Sequence, residues 1–174
     1  EFASMPSGEA WTTPQPHLLA AAVALSAGQH DSCTAAVDAA EGLMKKLPAD
    51  DEATSRLAAA VLRLTVCLRT GDLATAATAV GRAELMLDKV PGRKLARNPD
   101  IRRRVLCGRA AVELWSGRLD EAASILGAGV ADEAAPGREC ERASLSGRLA
   151  LVEALRGRLG RAAELADEAA SVAS

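Results

Sequence analysis

The chain repeats one short phrase three times: GDLATAA at 71–77, GRLDEAA at 117–123 and GRLGRAA at 157–163. Aligned, they read G-x-L-x-x-A-A, through Leu73, Ala76 and Ala77, then Leu119, Ala122 and Ala123, then Leu159, Ala162 and Ala163. A weaker copy begins at Gly28, where His30 takes the leucine place and Cys33 and Thr34 take the alanine places. Successive glycines lie 43, 46 and 40 residues apart, a period that marks arrays of helical hairpins.

Each part of the phrase has a physical reason. An apolar-periodic stretch long enough for a helix runs before each glycine, and another follows it. Glycine reaches positive φ cheaply, so it ends the first helix and reverses the chain. The leucine two places on is expected to pack back over the turn. Alanine five places on keeps the two helices at their close crossing, where a larger side chain would push the axes apart. Ala40, Ala83, Gly129 and Ala169, twelve places after each glycine, are again small and predict a second close contact.

Boundary residues agree with this division. Pro48 follows the first hairpin, VPGRKLARNPD separates the second from the third, and AAPG at 134–137 separates the third from the fourth. Asn98 and Pro99 read as an N-cap and first-turn proline. Helices are predicted at 16–27, 31–47, 51–70, 72–89, 99–116, 118–131, 138–156 and 158–172. Residues 1–13 read as a cloning remnant and disordered N-terminus, and 14–174 as one repeat domain of four hairpins (16–47, 51–89, 99–131 and 138–172). An all-α, right-handed stack fits better than a closed four-helix bundle, because each hairpin leaves an apolar face for its neighbour. The last helix keeps an apolar stripe, so further repeats are expected to follow it.

Composition narrows the function classes. Of 174 residues 49% are hydrophobic but only 2% aromatic, so the core must be built on Ala, Leu and Val. The net charge of −2 gives no bulk attraction to nucleic acid or anionic membrane. No apolar run is long enough to span a bilayer, and EFASMPSGEA lacks the plan of a secretory signal. Cys33, Cys67, Cys107 and Cys140 form no CxxC pair and have no nearby histidine to complete a zinc site; they read as buried or half-buried thiols in a reducing cytoplasm.

The phrase resembles the tetratricopeptide repeat (TPR), with a longer period. Long Ala- and Leu-rich hairpins such as RRRVLCGRAAVELWSGRLDEAASIL look like the helical-repeat region of large ATP-binding LuxR-family transcription regulators, the maltose-regulator type. That resemblance implies a cytoplasmic platform that senses an inducer or a protein segment and lies between a nucleotide-binding module and a helix-turn-helix. Neither flanking motif, the GxxxxGK[ST] phosphate loop or the helix-turn-helix, is recognised in this chain. No cofactor is expected within it, and no direct contact with nucleic acid or membrane.

No catalytic constellation is read. His17 and His30 look exposed and have no nucleophile at fixed spacing, and no G-x-S-x-G elbow is present. The cluster Arg93, Lys94, Arg97, Arg102, Arg103 and Arg104 reads as a solvated linker and helix face, without interleaved aromatics for stacking bases. Glu113 and Glu153 each stand four residues before a turn glycine, and Arg63 and Arg109 share a place eight before. First helices line the inner side of a TPR stack, as the resemblance implies. Arg63, Arg109, Glu113 and Glu153, with Trp115 beside them, are therefore the candidate ligand- or partner-binding residues. The competing reading makes Arg109 and Glu113 a helix-surface pair and Trp115 a core anchor.

Overall fold

The computed structural model describes residues 11–96, 98, 100–133 and 137–172. Among these the chain is all-α, with nine helices and no strand: α1 Pro14–Ser26, α2 His30–Met44, α3 Ala49–Thr70, α4 Leu73–Leu87, α5 Gly92–Leu95, α6 Asp100–Trp115, α7 Leu119–Asp132, α8 Glu139–Leu155 and α9 Leu159–Val172. Eight are the predicted helices, within a few residues at each end. The ninth, α5, is one turn inside the linker between the second and third hairpins.

The repeating glycines do what the phrase requires. Gly28, Gly71, Gly117 and Gly157 have φ of 74°, 79°, 79° and 78°. After each, the next amide donates to the carbonyl five residues back: Gln29 to Ala24 at 2.8 Å, and Asp72 to Cys67, Arg118 to Glu113 and Arg158 to Glu153 at 2.9 Å. This is the six-to-one bond of a Schellman cap, made four times over.

Packing follows chain order. Within hairpins α1 lies on α2, α3 on α4, α6 on α7 and α8 on α9; between hairpins α2 meets α3, α4 meets α6 and α7 meets α8. First helices also touch one another, α1 with α3 and α3 with α6. The core is shared accordingly: α3 gives Ala59 and Val66 to the first hairpin's cluster and Leu57 and Leu64 to its own. Each hairpin thus covers a face its neighbour exposes.

The small residues sit where the phrase placed them, except Ala169, which is only half-buried. Cys33, Ala76 and Ala122 have no solvent exposure and Ala162 has 9%. Ala40 and Ala83 are fully buried, and a Cβ on Gly129 would stand 3.1 Å from Leu106. A further close approach was not read from the sequence. A Cβ on Gly108 would collide with the Leu64 side chain, so glycine lets α6 lie against α3.

Other expectations need correction. Leu159 is 69% exposed and does not pack over its turn, whereas Leu73 and Leu119 are half-buried. Cys140 is exposed, and His17 and His30 are half-buried. Pro48 follows the first hairpin as expected and is also the N-cap of α3. Pro99, Arg97 and residues 134–136 lie outside the described residues.

Candidate binding surface

An α-helix turns about 100° per residue, so places counted back from the turn glycine map onto faces of the first helices α1, α3, α6 and α8. Places eight and four before the glycine fall together on one side. Places thirteen, ten, nine, six and two before it fall on roughly the opposite side. The candidate residues divide between these two sides.

Arg63, Arg109, Glu113 and Glu153 occupy the first side, toward the second helices. Arg63 on α3 pairs with Asp38 and, at 3.1 Å, with Glu41, both on α2. Arg109 on α6 repeats this geometry one hairpin later, 3.4 Å from Glu84 on α4. Glu41 and Glu84 each stand thirteen places after their turn glycine, so the same two columns meet at both junctions. At the third junction the columns hold Val130 and Leu149, which join one apolar cluster.

Glu113 is 4% exposed and accepts from Arg118 across the turn and from Arg109 at 2.7 Å. The hydrogen-bonded Arg118 guanidinium holds its carboxyl below the usual range; burial opposes this and the Arg109 charge assists. Glu153 repeats the arrangement with Arg156 at 2.7 Å and Arg158 at 3.6 Å, and Arg156 also pairs with Asp120 on α7. Its Oε2 is buried without a hydrogen bond. These carboxylates are committed to the protein's own arginines. The structure brings Arg109 and Glu113 together but puts Arg63 and Glu153 in separate pairs.

Trp115 lies on the other side. It is 64% exposed, so it is not a core anchor, and Leu155, in its column one hairpin on, is 56% exposed. Leu151 is also exposed. Between α6 and α8 a cleft of about 150 Å³ is lined by Cys107, Ala111, Trp115, Arg148 and Leu151. On the same side, across α1, α3 and α6, a cleft of about 610 Å³ is lined by Leu18, Leu19, Leu62, Ile101 and Arg104. Burial pushes the Cys107 thiol up, so it behaves as a protonated apolar group here.

Leu62, Cys107, Arg148, Leu151 and Leu155 do not recur in phase as one residue type through all four hairpins, so the repeating columns do not reveal them. Large apolar residues in the column of Trp115 and four places before it would have marked the surface. Two members of the basic cluster form a strap: Arg93 reaches Asp50 at 3.2 Å and Lys94 reaches Asp51 at 2.6 Å. Those acids belong to the first turn of α3, where negative charge also meets the positive end of the helix dipole.

No family model, curated protein or solved structure matches the chain. The family resemblance therefore stands on the residues quoted for it. Among the described residues no helix is long and apolar enough to cross a membrane.

Proposed function

We propose that this is a non-catalytic repeat domain that binds a protein segment on the shared face of its first helices. One observation carries the reading: Trp115, Leu151 and Leu155 stand exposed on neighbouring first helices, with apolar clefts beside them. Contiguous apolar surface of this kind marks interaction sites. Right-handed superhelical coiling of the stack, a cytoplasmic setting and the role of sensing platform in a bacterial LuxR-family regulator belong to this proposal through the resemblance. The four free cysteines fit a reducing compartment.

In a sensing platform the occupant, a small inducer or a protein segment, has to bind two arrangements of the hairpins unequally. A second reading, a constitutive scaffold without switching, is favoured by the Arg63 and Arg109 pairs, which tie successive hairpins together. The parent gene separates the two. A phosphate-binding loop upstream and a helix-turn-helix downstream support the regulator; their absence from the gene removes it.

The binding surface itself is tested by selecting displayed random peptides on the whole chain and on its Leu151→Asp variant. Binders that fail on the variant place the site at α6 and α8. Binders that hold both proteins equally place it elsewhere.

A further inference from the structure

We infer that the segment held on this face is acidic, with apolar anchors between its carboxylates; the inference rests on the binding surface proposed above. Between thirteen and two places before the glycine, the outward columns of α1, α3, α6 and α8 hold three arginines, Arg69, Arg104 and Arg148, and no carboxylate; Asp100, seventeen places before Gly117, falls on the same side. The whole chain has 23 acidic residues against 21 basic ones, so this face runs against the overall balance.

The arginines differ from those on the opposite side. Among the described residues neither Arg104 nor Arg148 has a carboxylate partner, whereas Arg63, Arg109 and Arg118 are all paired. Arg69 spends one nitrogen on the Leu25 carbonyl at the end of α1, at 2.8 Å, and keeps its charge. Asp100, which borders the larger cleft, is taken by Arg103 at 2.9 Å.

Each cleft therefore has an apolar floor and one uncompensated guanidinium at its edge: Leu62 with Arg104, and Leu151 with Arg148. A carboxylate arriving there makes a charge-assisted bond without displacing an existing partner. Apolar side chains on the same segment fill the floors, and charge complementarity selects the partner and its direction. Nucleic acid shares the negative charge but lacks the aliphatic anchors, and Trp115 is the one aromatic on these columns.

The test reads the charge of displayed random peptides enriched on the whole chain, on Leu151→Asp and on Arg104→Glu/Arg148→Glu. Circular dichroism and the urea midpoint confirm that each variant is folded; Arg104→Gln/Arg148→Gln replaces the charge reversal if it is not. The expected result is acidic, apolar peptides that lose binding on Leu151→Asp and weaken about tenfold or more on the charge reversal, which in turn enriches basic ones. Enriched peptides that are neutral or basic, or that ignore both arginines, overturn the inference. If those peptides still need Leu151, the binding surface stands without its acidic preference. Binding independent of Leu151, or no enrichment at all, removes both. A single-stranded RNA oligomer that outcompetes the selected peptides also overturns the acidic protein segment.

Discussion

The N-terminal and C-terminal halves of this molecule use the same positions for opposite purposes. In the first half, charge sits between hairpins: Arg63 meets Asp38 and Glu41, and Arg109 meets Glu84. The second turn there has Cys67 and Asp72 where later turns have an acid and a base, and Asp72 instead caps α4 by accepting from the Thr75 amide at 3.0 Å. In the second half, charge also enters the turns, as Glu113 with Arg118 and Glu153 with Arg158; at the last junction the columns of Arg63 and Glu41 turn apolar, with Val130 and Leu149 in one cluster, while Arg156 and Asp120 keep an ion pair across it elsewhere. Cap geometry is shared, since all four turn glycines have nearly the same positive φ and the same six-to-one bond. What varies is where each repeat puts its charged pair, and this shows that the hairpin shape is set by glycine and small residues while the pairs tune how firmly hairpins adhere.

The largest expected effect comes from breaking the apolar junction. Leu149 is 7% exposed, so Leu149→Arg places a charge in a site that lacks its partner and should cost roughly 3–5 kcal/mol. Adding Val130→Glu rebuilds the pair found at the first two junctions and should recover about 1 kcal/mol or more in a double-mutant cycle by urea denaturation. Zero coupling would mean that the columns at the third junction do not face each other as they do at the first two.

The turn phrase made the hairpins legible because a cap and a close crossing each demand a particular residue: Gly117 at positive φ, Ala122 at full burial. The bound side of the helix was not legible the same way. Arg63, Arg109, Glu113 and Glu153 recur in phase, and recurrence alone does not say whether a charge faces a ligand or its own chain. Only the acids on α2 and α4 and the turn arginine Arg118 decide that, and they lie in other parts of the sequence. Trp115 was found for its size. Leu151 and Leu155 resemble core leucines until their direction is known. Helix α5 escaped because one turn is too short to show a period.

A smaller effect belongs to the charged turn. Glu113→Gln keeps the shape and one acceptor but removes the charge facing Arg109 and Arg118, for a loss of about 1–3 kcal/mol at neutral pH. Because its folded pKa is lowered from 4.5, the carboxylate's contribution is complete above that value and is lost as pH falls through the lower folded one. Stability of the native protein should therefore fall more steeply than that of Glu113→Gln as acid is added below about pH 4.5, and the two curves should converge. Parallel curves down to the acid transition would show that the ionised form is not what holds this turn.

The smallest expected effect tests the first half of the molecule. Arg63 is partly exposed, with 23% of its side chain open to solvent, and its partners are more open still. Arg63→Met keeps the aliphatic stem over α2 and removes the charge, so the cost should be about 1 kcal/mol or less. Salt identifies its origin. The Debye length shrinks from about 10 Å at 0.1 M to about 3 Å at 1 M, so the difference between Arg63→Met and the native protein should shrink with added potassium chloride, while the Leu149→Arg deficit stays large. A salt-independent Arg63→Met deficit would locate its effect in stem packing, and the first two junctions would then differ from the third in shape rather than in charge.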